Sequence, residues 1–240
     1  MCSSIRSYSQ TDSISSGVYS VLPNHKIHGP TSTLTMLDLH TSTLAPGRTN
    51  HPARALMNRE ELVIVKEGSL TLIINDSSKI LGKNGIALIM AGDTQSFSNH
   101  SSQPVSYYVI GFTPSNPADT GRGKHNGGSL VKNWNELTVK KTTKGESRAV
   151  LDKPSSAFGR FDVHATTLNE GQESHPEHTH PQEEIMFLMK GNVTMHIDGK
   201  NVTANEGNAI FIRPNIPHHL TNTGSTPCWY YAIKWYTGVN

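Results

Sequence analysis

No stretch of eighteen apolar residues occurs in the chain, so a membrane-spanning helix is not expected. Paired cysteines are missing too. Cys2 and Cys228 lie at opposite ends with no CxxC spacing, which argues against a thiolate zinc site and a disulfide framework. There is little excess charge: 21 Lys and Arg stand against 19 Asp and Glu. Without a dense basic stripe, nucleic acid is not expected as a partner, and the Lys140-Lys141 pair reads as a solvated face. The Ser-rich segment from Met1 to Gly17 has no apolar core of a signal peptide. That favours a cytoplasmic reading, with a removed signal before Cys2 left open. Long amphipathic helical periodicity is also absent.

Histidine, in contrast, is abundant: 13 residues, many of them gathered between His164 and His219. Imidazole is the commonest metal ligand and a frequent acid or base, so the clustering is a first sign of chemistry. Hydrophobic residues at 35% and charged residues at 17% suit an ordinary globular chain with a real core.

The sequence repeats itself. Leu39–Gly47 aligns with Val163–Gly171, Glu60–Gly68 with Glu183–Gly191, Gly85–Ile89 with Gly207–Phe211, and Tyr107–Phe112 with Tyr230–Trp235. The offsets stay between 122 and 124 residues and the order is kept, which indicates a duplicated domain. Thr113–Gly128, rich in Pro, Ser, Asn and Gly, reads as the linker. The expected domains are residues 18–124 and 125–240.

Within each copy the pattern is β. Short apolar runs such as Ile185–Met189 and Ala209–Ile212 are punctuated by Gly, Asn, Asp and Pro. Asp198-Gly199 between two such runs signals a hairpin. Many short strands at regular spacing predict an all-β fold of two tandem barrels or sandwiches. A turn of helix is expected within Val131–Leu137.

The second copy carries His178-x-His180-x3-Glu184, and His218 follows in Arg213-Pro214-Asn215-Ile216-Pro217-His218. Residues two apart on a strand share a face, so His178 and His180 can aim at one point, with Glu184 joining them. His218 can come from an adjacent strand. Three imidazoles and a carboxylate suit one divalent transition metal (Mn, Fe, Ni, Zn, Co or Cu) rather than Ca or Mg.

These residues resemble the cupin superfamily, whose motifs are G-x5-H-x-H-x3/4-E-x6-G and G-x5-P-x-G-x2-H-x3-N. The match runs from Gly171 to Gly191 and from Gly207 to Asn222, with one extra residue before His178 and Asn215 in place of a glycine. Asn tolerates the left-handed backbone such a turn needs. The resemblance implies two jelly-roll barrels, a bicupin, with the metal in the mouth of the second.

The first copy keeps Glu61 opposite Glu184 but has Arg54, Ala55, Leu56 and Met57 opposite the two histidines, and Ser96, with Gln95 and Phe97 beside it, opposite His218. No metal is expected there. His175 and Tyr231 are candidates for lining the pocket. His196 and His219 are expected outside it, Glu183 is expected in solvent, and Asp162 and His164 are expected to serve the fold, since Asp38 and His40 repeat them.

Two functional readings follow. One is a metal-dependent enzyme on a small polar or anionic molecule, of lyase, isomerase, hydrolase or dioxygenase type. The other is a non-catalytic module in which the metal fixes a sugar or carboxylate. The layout also resembles ureidoglycine aminohydrolase-type bicupins, but there the ligating carboxylate precedes the histidines, so that activity is not carried over. The expected partner is a small molecule, and the expected assembly a monomer or homodimer.

Overall fold

A computed structural model describes residues 19–22 and 27–237; Cys2 and the Ser-rich start lie outside them. Each copy forms a sandwich of a large sheet and a small one. In the first, Ile86–Ile89, Glu60–Glu67, Val105–Pro114 and Leu34–Leu44 lie side by side, facing a small sheet built on Thr94–Ser98, Ser69–Ile74 and Ser77–Gly82. In the second, Ala209–Ile212, Glu183–Lys190, Cys228–Tyr236 and Arg160–Leu168 take the same places, facing His218–Asn222, Asn192–Ile197 and Lys200–Asn205. All pairings are antiparallel, so this is the all-β double jelly roll expected from the repeat. The Asp198-Gly199 hairpin is present, with both residues at positive φ, as a two-residue turn requires.

Side-chain alternation sorts the large sheets into two faces. Phe187, Tyr231, Ile233 and Trp235 pack with Leu62, Tyr108, Ile110 and Phe112 of the first copy, so the two large sheets lie back to back over a shared apolar layer. The opposite faces fill each barrel: Met186, Leu188, Tyr230 and Ala232 in the second, Val63, Val65, Tyr107 and Val109 in the first. The central strands are therefore buried on both sides, which is why they read as unbroken apolar runs.

This layering corrects the reading of Glu183. It faces the shared layer and is only 1% exposed. Its carboxylate accepts hydrogen bonds from the Thr31, Ser32 and Thr33 hydroxyls, from the Ser32 N–H (2.8 Å) and from Trp235 Nε1 (3.1 Å). Its twin Glu60 reaches across the other way and accepts from the Ala157 N–H at 2.9 Å. One oxygen of Glu60 has no partner among the described residues. Burial raises its pKa to about 7, against the opposing pull of hydrogen bonds from residues 155–157 and the Arg122 charge.

The expected boundary at residues 124 and 125 falls at the end of a short helix, Thr120–His125, inside the stretch read as the linker. It does not partition the sheets. Leu130–Lys132 returns to pair with Ile86–Ile89 in the first large sheet. Tyr19–Leu22 pairs with Ala209–Ile212 in the second. The expected helical turn in Val131–Leu137 is reduced to one 3-10 turn, Trp134–Glu136, after that returning strand.

Candidate metal centre

His178, His180 and His218 each bring one ring nitrogen within 4.8 Å of the others. His178 and His218 are locked by two backbone hydrogen bonds across an isolated bridge, at 3.0 and 3.3 Å. Asn215, at φ 61°, turns the chain into His218 and donates its N–H to the His180 carbonyl at 2.7 Å. Asn215 thus does what a glycine would do there. Arg213 stands where the cupin motif carries its proline, a further departure from the pattern, and Pro214 follows it. Glu184 projects from its strand on the face opposite Glu183 and is 3% exposed. The site runs from exposed His178 at the rim down to buried His218 and Glu184.

The hydrogen bonds fix the tautomers. Nδ1 of His178 faces the His218 carbonyl (3.2 Å), Nδ1 of His180 the Gln182 carbonyl (3.1 Å), and Nδ1 of His218 the Ile216 carbonyl (2.8 Å). A carbonyl only accepts, so each Nδ1 carries its proton and a neutral ring presents a bare Nε2. Nε2 of His180 then lies 3.0 Å, and Nε2 of His218 3.2 Å, from the same Glu184 oxygen. The His218 contact is off the line of a hydrogen bond, and this buried nitrogen has no hydrogen-bond partner. Lone pairs facing a carboxylate at such distances repel unless a cation, either a proton or a metal ion, lies among them. Imidazoles anchored through Nδ1 to protein acceptors are the arrangement expected of metal ligands.

With a proton as that cation, the charges of these groups are coupled. Burial alone would raise the Glu184 pKa, but the His180 and His218 rings hold it far below the usual carboxylate range. Burial opposes charge on His218, yet Glu184 and the Ile216 carbonyl raise its pKa. His178, with burial and the neighbouring His175 ring both against protonation, is lowered.

His175 packs edge-on against His178 at 4.0 Å between ring centres, with its Nδ1 facing the Pro176 carbonyl. It borders the cluster without joining the group that can hold an ion. His51 makes the same bond to Pro52 in the first copy, so this His-Pro turn also belongs to the shared frame. Tyr231 is not in the pocket. It faces the shared layer, and its hydroxyl donates to the Asn84 carbonyl of the other barrel at 2.9 Å. Tyr230, one place earlier and so on the other face, is the tyrosine that fills the second barrel. His219 points away and stacks on His196 at 4.1 Å.

In the first barrel the same positions hold other chemistry. Gln95, not Ser96, takes the place of His218: Gln95 pairs with Ile74 and Arg54 as His218 pairs with Ile197 and His178. Its Nε2 donates to Glu61 at 2.9 Å. Arg59 swings in to bind Glu61 (2.8 Å) and, through two nitrogens, Asp38. Gly111 leaves room for that guanidinium, because a Cβ there would overlap it. Opposed by burial, the Arg59 and His40 contacts lower the Asp38 pKa to about 2.

Residues 165–234 match the family model of the cupin domain. The chain carries a cupin domain. No curated protein matches its sequence. Among solved structures, a putative glyoxylate-induced protein from Pseudomonas aeruginosa is similar at TM-score 0.70 and 18% identity, over 91% of this chain and 84% of that one. Oxalate decarboxylase from Lactobacillus farciminis, in a formate complex, gives 0.68 and 11% over 93% and 87%. The Escherichia coli protein Ylba gives 0.66 and 14% over 95% of each chain. Such likenesses establish the double cupin barrel as the fold. Among the described residues, no helix is long and apolar enough to cross a membrane.

Proposed function

We propose that the second barrel is a divalent transition-metal centre, held by His178, His180, Glu184 and His218, of an enzyme that acts on a small polar or anionic molecule. The supporting observation is the set of three imidazoles whose Nδ1 protons go to backbone carbonyls while Nε2 atoms close on the Glu184 carboxylate. The set matches the nitrogen-and-oxygen preference of Mn, Fe, Co, Ni, Cu or Zn. A divalent ion there supplies Lewis acidity to whatever oxygen the substrate offers. The chain's own residues orient the ligand: His218 and Glu184 close the floor, His178 leaves the rim open, and His175 narrows it.

The test is metal analysis of protein purified without added metal. About one ion per chain is expected, and none after His180→Ala and His218→Ala together. Full metal content in that double variant removes the assignment. Turnover by the loaded wild type separates an enzyme from a module that only binds.

A further inference from the structure

Lys234 lies on the strand Cys228–Tyr236, directly opposite Glu184 on one side and Asp162 on the other. Cross-strand neighbours share a face, so Lys234 follows Tyr230 and Ala232 into the barrel that bears the metal centre. Its side chain is 22% exposed, at the mouth. Its Nζ stands 3.6 Å from Asp162 Oδ2, an ion pair too long for a hydrogen bond, and it has no hydrogen bond to any described residue. Asp162 is shared as well, since its other oxygen faces His164 Nδ1 at 3.3 Å.

The first barrel holds its cation differently. There Asp38 and His40 repeat Asp162 and His164, but Gly111 replaces Lys234 and the Arg59 guanidinium is consumed by Asp38 and Glu61. The closed cation belongs to the barrel without a histidine cluster, and the open one to the barrel with it.

From this we infer that Lys234 is the anion-recognising residue of the second barrel, and that the ligand is a small dianion such as a short dicarboxylate, one end on the metal and the other on the Lys234 ammonium. This rests on the metal centre proposed above. The divalent ion outweighs the single Glu184 charge, and Lys234 adds a second positive point that Asp162 offsets only at a distance. An ammonium with free donors binds a carboxylate through charge-assisted hydrogen bonds, whereas a monoanion already satisfied by the metal has no need of it.

The experiment uses the full chain loaded with Mn(II), as wild type, Lys234→Met and Lys234→Arg. Metal content and melting temperature are measured for each, and malonate and acetate are titrated by calorimetry. Equal metal content is expected in all three. Lys234→Met should weaken malonate by about 10-fold or more while changing acetate by less than about twofold, and Lys234→Arg should retain most of the malonate affinity. Unchanged malonate affinity in a metal-loaded Lys234→Met protein overturns the inference and leaves the metal centre standing. Loss of metal in that variant alone also overturns it, by making Lys234 a support of the cluster. A wild type that takes up no Mn(II) overturns the metal centre and this inference with it.

Discussion

The two barrels set the same buried carboxylate in the same frame and give it different company. In the first, Glu61 is met by Gln95 and by the Arg59 guanidinium, which also takes up Asp38. In the second, Glu184 is met by two imidazole nitrogens that carry no proton when neutral. The difference teaches that a carboxylate in a barrel mouth needs a positive charge, and that a chain can supply one from its own sequence or leave the place for an ion. The Arg59 guanidinium fills that place in the first barrel, and no guanidinium does so beside Glu184 in the second.

The most direct way to break this contrast is to transplant it. Arg54→His, Leu56→His, Arg59→Gln and Gln95→His together rebuild the histidine set around Glu61. Metal content should rise from about one to about two ions per chain by elemental analysis. Failure of a folded variant to gain metal would show that the frame alone is not enough.

The next largest effect concerns the contacts between the barrels. Glu183→Ala strips the acceptor from five donors in the shared layer and should cost about 4 kcal/mol in urea unfolding. Glu60 should make stability depend on pH. Its folded-state pKa, about 7, lies above the unfolded value near 4.5, so the folded state holds the proton more tightly. Its contribution is complete below pH 4.5 and is lost as pH rises to 7, by up to about 3 kcal/mol. Glu60→Gln should flatten that slope when unfolding is followed between pH 4.5 and 7.5. The smallest effect is local: Arg59→Met leaves Asp38 and Glu61 facing each other in a partly wetted mouth, at a cost of about 2 kcal/mol in the same assay.

Much of this was legible in the sequence because the signals were redundant. The duplicated blocks, the HxH pair, Glu184 and the Pro217-His218 turn support one another; the three histidines gather, and Glu184 reaches His180 and His218. Asn215 could be read as a left-handed turn because few other non-glycine residues tolerate one. What escaped reading were positions where neighbouring residues face different layers. Glu183 and Glu184 look alike in sequence, and on a strand buried on both sides polarity no longer marks the solvent face. Tyr231 was misplaced by one residue for the same reason, which moved it from the barrel to the shared layer. Lys234 gave no signal of its own. Its meaning comes from Glu184 and Asp162 on the flanking strands and from the contrast with Gly111. Gln95 could have been found by aligning the second motif on Asn99 and Asn222, which make matching bonds in the two copies.

The exchange of edge strands has a bearing on trimming this protein for crystallisation or expression. Tyr19–Leu22 caps one border of the second large sheet, and Leu130–Lys132 caps the corresponding border of the first. A shortened chain starting beyond residue 22 would leave the backbone groups of Ala209–Ile212 on that side without their strand partner, an open template for another molecule to dock on. A second barrel prepared alone would lose that border and the counter-surface for Trp235 and Phe187 as well. It should therefore self-associate rather than yield a small, well-behaved metalloprotein.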